Sequence, residues 1–359
     1  MKKVINLGKK VTLRDIAEAT GVTTASVSMI LNGKDLSRFT PDLVSRVLDC
    51  AKRLEYAPPA SRSRLRQIAV ISPSVNNPYH TTIIMGIDRA ALSSGYVAHT
   101  YNTYWNPHVE LEILDMLEQQ RVAGIIYLMN PLQSQRAREL SRHTPVVAVG
   151  DIVNDLGIDT VDINNFRAGE IVAQHLLQLG HRHIAYLTTS LNAHHIARVR
   201  RCEGLQATWQ RFCPEGSVTV YCKDNSYEQE IQSHLIEMES GRALARECIQ
   251  NPRVTAIVAI NDMVGYGVLD ALLEHGYRVP EDYSLCGFDN VFPSAFGRIG
   301  LTTVDHSTVD HGARAFHLIR EKIENSADGS SSIPITRVEY RSRLIVREST
   351  GRPREERKP

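Results

Sequence analysis

The sequence has no long apolar run and no pattern of paired cysteines. Nowhere in its 359 residues does an apolar stretch reach the roughly 18 residues of a membrane-spanning helix, and the opening MKKVINLGKK lacks the apolar segment of a secretory signal. Its six cysteines are scattered, without a C-x-x-C pair or metal-ligand spacing. We therefore expect a cytoplasmic protein without a membrane partner, with reduced cysteines and without a bound metal.

Motifs of common catalytic and cofactor sites are also missing. Neither G-x-x-x-x-G-K-[ST] nor G-x-S-x-G occurs, and Gly265 and Gly267 in GYGVLD lack the third glycine of a dinucleotide fingerprint. The repeat VDHSTVDH at 304–311 is expected to hold ordinary surface polar residues. The sequence therefore predicts no catalysis and no cofactor.

Charge is divided unevenly along the chain. Up to Arg66 there are 13 Lys and Arg against 6 Asp and Glu, a net charge of +7, whereas the remainder has 28 against 34, a net charge of −6. A solvated charged face is one interpretation. A compact basic end on a mildly acidic body is also typical of a polyanion-binding module attached to a soluble carrier.

The basic end has the pattern of three short helices. Thr12 is predicted to cap the first helix, Gly21 to supply a left-handed turn, and Thr23 to cap a second helix. Thr40 followed by Pro41 predicts the start of a third helix. The spacing of the first two helices is that of a helix-turn-helix, with the second helix facing outward.

The outward face of the second helix carries small side chains. Such side chains allow a helix backbone to lie deep in the DNA major groove, with hydroxyls available for phosphates and base edges. The outward positions are Thr24, Ala25, Ser28 and Met29.

From Ile68 onward, short apolar strands alternate with segments of helical length. This alternation predicts parallel sheets covered by helices, and eight or more strands suggest two such sheets, with ligands bound at the carboxyl ends of the strands. The predicted strands are IAVIS, YVAHTY, AGIIYL, PVVAV, HIAYL, VTVYC, TAIVAI and YSLCGF.

Several motifs, in order along nearly the whole chain, resemble those of the LacI/GalR family of bacterial transcription regulators. They are VTLRDIAEATGV with SVSMILNG, NNPYH, GHRHIAYL, TAIVAINDMVGYG, HGYRVPEDYSLCGFDN, LTTVD and LIVREST. The resemblance implies an α/β fold with an N-terminal helix-turn-helix headpiece and two doubly wound parallel-sheet subdomains like those of periplasmic binding proteins. It also implies a homodimer on a near-palindromic DNA operator, switched by a small-molecule effector in the cleft.

On this resemblance the chain divides into four parts: a headpiece at 1–57, a hinge or linker at 58–67, an effector-binding and dimerisation core at 68–350, and a tail at 351–359. The tail has no apolar heptads, so no tetramerising coiled coil is expected. The residues assigned to DNA contact are Thr12, Thr23, Thr24, Ala25, Ser28, Met29, Asn32, Arg62 and Leu65.

The effector contacts carried over from the family lie after predicted strands. Asp289 in GFDN and Asn261 in AIND offer a carboxylate and an amide for hydroxyl groups, although such residues at strand ends often only stabilise turns. The full set is Tyr79, His80, Asn164, Arg198, Asn261 and Asp289. A sugar or sugar-like compound fits these side chains best.

Some positions depart from the family pattern. Met29 stands where an arginine is common, so one guanine contact is missing, and the hinge reaches Ile68 about five residues early. The position of a family effector-binding arginine, counted back from Gly204, falls on Val199. The neighbouring cluster Arg198, Arg200 and Arg201 leaves an anionic effector open, with Arg201 expected to pair structurally. YEQEIQSHLIEM, between residues 227 and 240, has the character of an insertion.

We therefore predict a sequence-specific transcriptional regulator, most simply a repressor of a catabolic operon. The alternative is an α/β enzyme with an accessory DNA-binding domain, which a cofactor motif would favour. The effector, its direction of action, the operator and the target genes are left open by the sequence.

Overall fold

The protein divides into two compact units, residues 1–65 and 66–359. The computed structural model describes residues 11–31, 36–54, 56, 66–151, 157–192, 195–296, 300–327 and 334–354. Three of the predicted DNA contacts, Asn32, Arg62 and Leu65, lie outside the described residues.

The first unit contains the predicted helix-turn-helix. Its helices are α1 (Leu13–Thr20), α2 (Thr24–Leu31) and α3 (Pro41–Arg53), with a short 3-10 turn at Leu36–Arg38. Thr12 forms a capping box with Asp15, and Gly21 takes the left-handed conformation with φ 72°. The Thr23 hydroxyl accepts the first-turn amide of α2 at 3.1 Å. The predicted helix ends are thus confirmed, because local hydrogen bonding determines them.

One apolar side chain from each helix forms the centre of this small core. Ile16 of α1, Val27 of α2 and Val47 of α3 are completely buried. Burial of these faces leaves Thr24 and Ala25 exposed on α2, while Ser28 and Met29 are half-buried.

The second unit alternates strands and helices, as predicted. In chain order its elements are β1 (Arg66–Ser72), α4 (Pro78–Ser93), β2 (Tyr96–Asn102), α5 (Pro107–Gln120), β3 (Gly124–Tyr127), α6 (Ser134–Leu140), β4 (Val146–Val149), β5 (Asp159–Ile163), α7 (Asn165–Leu179), β6 (His183–Thr189), α8 (Ile196–Phe212), β7 (Ser217–Lys223), α9 (Tyr227–Gln232), α10 (Ile236–Cys248), β8 (Ala256–Ala259), α11 (Asp262–Glu274), β9 (Ser284–Phe288), a 3-10 turn (Phe292–Ala295), β10 (Thr302–Asp305), α12 (Thr308–Ala327), β11 (Arg337–Tyr340) and β12 (Arg343–Ile345).

The strands form two six-stranded sheets, one for each subdomain. The first subdomain has the order β11-β5-β4-β3-β1-β2, and the second has β12-β10-β9-β8-β6-β7. All pairings are parallel except that of β10 with β12. The eight strands predicted from apolar runs are confirmed. The chain crosses between the two sheets after β5, after β10 and after β11.

Paired glycines allow the helices that cover the sheets to pack closely. A Cβ at Gly204 of α8 would overlap the carbonyl oxygen of Phe166 on α7, and one at Gly169 of α7 would overlap that of Arg201 on α8. Gly267 of α11 meets α10 in the same way, at the Met238 carbonyl. In the first subdomain, a Cβ at Gly86 of α4 would overlap the Val309 carbonyl oxygen of α12, so each subdomain holds a pair of helices at backbone contact. None of the described helices combines the length and apolarity needed to cross a membrane.

Gly204→Ala is expected to lower the free energy of unfolding by at least about 2 kcal/mol, because the added methyl must push α7 and α8 apart. Calorimetric unfolding of the full chain measures the change. Gln206→Ala, at an exposed position of the same helix, is the control and should change stability by less than about 0.5 kcal/mol. Equal effects of the two substitutions would contradict the close helix contact.

Candidate functional site

A cleft opens between the two sheets, at the carboxyl ends of their strands. Its walls come from the segments after β1 to β4 in the first subdomain and after β6 to β9 in the second, as expected for doubly wound sheets. The lining residues include Ser74, Asn77, Tyr79, His80, Trp105, Asn130, Asp151, Asn165, His195, Arg198, Arg201, His234, Glu237, Asn261 and Asp289.

The structure brings five of the six predicted effector contacts to this cleft: Tyr79, His80, Arg198, Asn261 and Asp289. Asn164 is not among the lining residues. Its Oδ1 accepts the Arg167 amide at 2.9 Å as the N-cap of α7, and its Nδ2 donates to Glu339. The next residue, Asn165, lines the cleft instead. The contact roles of the five stay predictions.

A buried arginine lies at the centre of the cleft. The Arg201 Nη2 donates to the Asp289 carboxylate at 3.1 Å, its Nη1 to the backbone carbonyl of Ile260 at 2.6 Å and its Nε to the side-chain oxygen Oδ1 of Asn165 at 2.8 Å. The guanidinium also lies 4.5 Å from the centre of the Phe288 ring. Arg201 therefore pairs structurally, as expected, but it also lines the cleft, which the sequence analysis missed.

The loop that carries Asp289 is held by a second buried carboxylate, Asp262. Asp289 has φ 98°, a left-handed conformation that the surrounding structure must stabilise. Asp262 accepts the Val291 amide and the hydroxyls of Ser294 and Thr303. Its burial, with the nearby Asp289 carboxylate, raises the pKa of Asp262 to about 7.

The VDHSTVDH repeat proves not to be a surface segment. His306 and His311 are both buried, because this stretch forms the crossover from β10 to α12. The His306 Nδ1 lies 2.8 Å from the Ser342 hydroxyl and its Nε2 lies 3.3 Å from Arg201. Burial and the Arg201 charge hold the pKa of His306 well below its ordinary value, so the imidazole is neutral. A neutral ring with its proton on Nδ1 satisfies both contacts.

Contacts among the described residues join the two subdomains across the cleft. Asn77 of the first subdomain and Asn261 of the second each donate to the Glu237 carboxylate at 2.8 Å. Nearby, the rings of Trp105 and His195 stack with their centres 4.3 Å apart. Glu237 belongs to the segment that has the character of an insertion, so its position in the cleft was not predicted.

The arginine cluster of the sequence is split by the structure. The Arg198 guanidinium lines the cleft and lies 5.9 Å from the centre of the Trp105 ring. Arg200 is not among the lining residues, since it pairs with Glu203 at 2.7 Å and lies over the Phe166 ring. Arg198 and Arg201 of the cluster therefore line the cleft, and the donors of Arg201 are engaged by Asn165, Ile260 and Asp289.

The face of α2 proposed for DNA is a separate candidate site in the first unit. Ala25 is exposed there with Thr24, and neither position carries a bulky side chain. Thr12 and Thr23 use their hydroxyls for helix capping, and the Thr12 hydroxyl donates to the Asp15 carboxylate at 2.6 Å. Their contacts with DNA stay predictions.

Comparison with known proteins identifies relatives along the whole chain. The model of the periplasmic binding proteins and sugar-binding domain of the LacI family matches residues 66–344. The HTH-type transcriptional repressor PurR of Haemophilus influenzae (strain PittEE) is 28% identical over 348 residues, which cover 94% of this chain and 98% of the relative. PurR of Klebsiella pneumoniae (strain 342) is 29% identical, covering 95% and 97%.

Solved structures give the same result for the fold. A LacI-family regulator from Silicibacter pomeroyi is 25% identical and superposes with a TM-score of 0.75, covering 95% of this chain and 100% of that one. The regulator CelR in complex with cellobiose is 24% identical, with a TM-score of 0.65 and coverage of 94% and 99%. A LacI-family regulator from Enterococcus faecium with bound ribose is 23% identical, with a TM-score of 0.68 and coverage of 80% and 99%.

The buried carboxylate of Asp262 gives a prediction for pH. Its pKa is about 7 in the folded chain and 3.8 when unperturbed, so between these values the unfolded chain releases a proton that the folded chain retains. The Asp262 contribution to the free energy of unfolding therefore falls as pH rises from about 4 to 7, by at most about 1.4 kcal/mol per pH unit.

We expect Asp262→Asn to remove this contribution, so that the difference in stability between the two proteins changes across that range and is constant above about pH 7.5. Urea unfolding at several pH values measures it. Asp310→Asn, at an exposed position of α12, is the control, and its stability should depend on pH as that of the wild type does. A pH profile of stability for Asp262→Asn that runs parallel to that of the wild type would contradict the raised pKa of Asp262.

Proposed function

The chain belongs to the LacI family, whose model spans residues 66–344, and we propose that it is a transcriptional repressor that binds its operator through residues 1–65 and a neutral sugar-like effector in the cleft. The observation that carries this proposal is the joining of a helix-turn-helix unit to a two-sheet unit with a polar cleft. The alternative of an α/β enzyme is not supported by the relatives, which are transcriptional regulators.

DNA recognition is assigned to α2. A helix with small outward side chains approaches the base edges closely, and the excess positive charge up to Arg66 attracts the phosphates. Met29 lacks the guanidinium that pairs bidentately with guanine, so the operator differs from those read by an arginine at this position. Since chromosomal DNA is the target, we place the protein in the cytoplasm.

The effector is assigned to the cleft on the chemistry of its walls. Asp289 presents a carboxylate, Glu237 presents a second carboxylate that is bonded to Asn261, and Tyr79 presents an aromatic ring, a combination suited to a compound with several hydroxyls and an apolar face. Two structural neighbours of this fold hold ribose and cellobiose, which supports a neutral sugar-like ligand.

Control of DNA binding follows from the three crossovers between the subdomains. An effector can bind one relative orientation of the two sheets more tightly than another. It then changes operator affinity by the difference in its binding free energy for the two orientations, typically about 1–3 kcal/mol. The His306 ring links this motion to the ligand site, because it contacts both Arg201 and the crossover residue Ser342.

A homodimer on a near-palindromic operator is the assembly we propose. Two aromatic side chains next to the cleft loop, Phe292 and Phe296, are 78% and 61% exposed, with their ring centres 4.9 Å apart. Exposed aromatic pairs of this kind are enriched at protein interfaces. A twofold operator requires a second copy of the chain as the partner at this interface.

The DNA assignment predicts that Ala25→Glu lowers affinity for the operator at least tenfold, since the carboxylate would lie against the phosphates. The operator is first selected from genomic fragments with the full wild-type chain, and affinity is then measured by fluorescence anisotropy at several salt concentrations. Ala19→Glu, the same change at an exposed alanine of α1, is the matched control. Equal affinities for the two variants would refute the assignment to α2.

The effector assignment predicts that Asp289→Asn keeps operator affinity within about twofold while the response to the effector falls at least tenfold, the size of a charge-assisted hydrogen bond. Asparagine retains an oxygen for Arg201 and replaces the charge and the second acceptor oxygen by an NH₂ group. The response is measured with a panel of neutral sugars, nucleosides and phosphorylated sugars. Asn164→Ser, outside the cleft lining, should respond normally, and a normal response of Asp289→Asn would overturn the cleft assignment.

A further inference from the structure

The Glu237 carboxylate is held between two asparagine amides from opposite walls of the cleft. One oxygen accepts from the Asn77 Nδ2 and the other from the Asn261 Nδ2, both at 2.8 Å. Neither amide is free to turn over. The Asn77 Oδ1 caps α4 by accepting the Tyr79 amide, and the Asn261 Oδ1 caps α11 by accepting the Val264 amide. Both Nδ2 groups therefore point into the cleft.

These two amides form a pocket of the size of a carboxylate. Asn77 and Asn261 are only 9% and 7% exposed, so an N–H group that pointed into the cleft without an acceptor would lose its hydrogen bonds to water without replacement. Glu237 supplies one oxygen to each amide. The chain thus satisfies, from within, an arrangement of donors that is suited to an anion.

The position of Glu237 is fixed by the packing of α10 on α11. The carbonyl of the next residue, Met238, lies directly against Gly267, and Gly241 lies as closely against Val264. Ile236, the residue before Glu237, is buried. Because the backbone on both sides is held, the carboxylate is a built part of the cleft wall.

The carboxylate that already bonds to Asn77 and Asn261 opposes a second anion at this point. The cleft also contains the carboxylates of Asp151 and Asp289, and Asp289 is paired with Arg201 at 3.1 Å. The Arg198 guanidinium lies 5.9 Å from the centre of the Trp105 ring. An acidic ligand that reached Asn77 and Asn261 would have to displace a carboxylate already bonded there.

We propose that Glu237 fills, with its own side chain, a carboxylate subsite formed by Asn77 and Asn261, joins the two subdomains through it, and restricts the cleft to neutral or positively charged effectors. The restriction rests on the proposed function, since it concerns the same cleft. The subsite itself does not, because it is defined by the two amides.

Acetate provides the direct test, because Glu237→Ala removes the CH₂–COO⁻ group that acetate replaces. We expect the full-length variant to unfold about 3 °C or more below the wild type, since two charge-assisted hydrogen bonds are lost, and acetate to restore the difference in a saturable manner. Sodium chloride at equal ionic strength should not restore it. The matched control is Glu247→Ala, at an exposed position of the same helix, which should show neither the loss nor the recovery.

The absence of an acetate effect beyond that of chloride, or an equal effect on Glu247→Ala, would overturn the subsite. A second variant, Glu237→Gln, keeps the test valid if Glu237→Ala does not fold. Its NH₂ group replaces the oxygen that faces one of the two amides and sets donor against donor, so its unfolding temperature should fall while that of Glu247→Gln does not. An unchanged temperature for Glu237→Gln would also overturn the subsite.

Exclusion of anions from the cleft is tested with gluconate. We expect gluconate to raise the unfolding temperature of Glu237→Ala and not that of the wild type, and equal stabilisation of both proteins would refute the exclusion. These measurements need no operator DNA. Failure of the subsite is therefore seen in the acetate titration, whereas failure of the proposed function is seen in operator binding by the wild type.

Discussion

The buried guanidinium of Arg201 constrains the whole cleft. An ionised group this far from water is stable only when its donors and its charge are matched, and removal of one partner of such a pair commonly costs about 3–5 kcal/mol. The partners of Arg201 come from the start of α7, the end of β8 and the loop after β9. Three segments distant in sequence must therefore meet at one point, and that point lies in the wall of the cleft.

The same requirement extends from the cleft to the crossovers. His306 contacts Arg201 with one ring nitrogen and Ser342 with the other. His306 and Ser342 belong to two of the three chain segments that join the sheets. Since glycines hold the helices of each subdomain at backbone contact, little internal adjustment is available within a subdomain. A change at the ligand site is therefore transmitted most easily as a change in the crossovers.

Local rules predicted the parts of this fold that local interactions determine. Helix caps such as Thr12 and Thr40 and the eight apolar strands were found from the sequence, and five of the six effector contacts implied by the family resemblance line the cleft. Four strands were not predicted: β11 and β12 are only half-buried or exposed, and the buried strands β5 and β10 contain Asp and Thr, so none of the four forms an apolar run. The burial of His306 also escaped prediction, since it depends on contacts with residues far away in the chain.

Glu237 shows why the chemistry of the cleft is harder to predict than its location. Asn77 and Asn261 can each be assigned as helix caps from their own neighbourhoods, but a cap uses only the amide oxygen. The remaining N–H groups face each other only after both subdomains have formed, and the acceptor that they share is 160 residues away from one and 24 from the other. A carboxylate at this meeting point acts on closure and on ligand charge together, because the two amides that it binds belong to different subdomains.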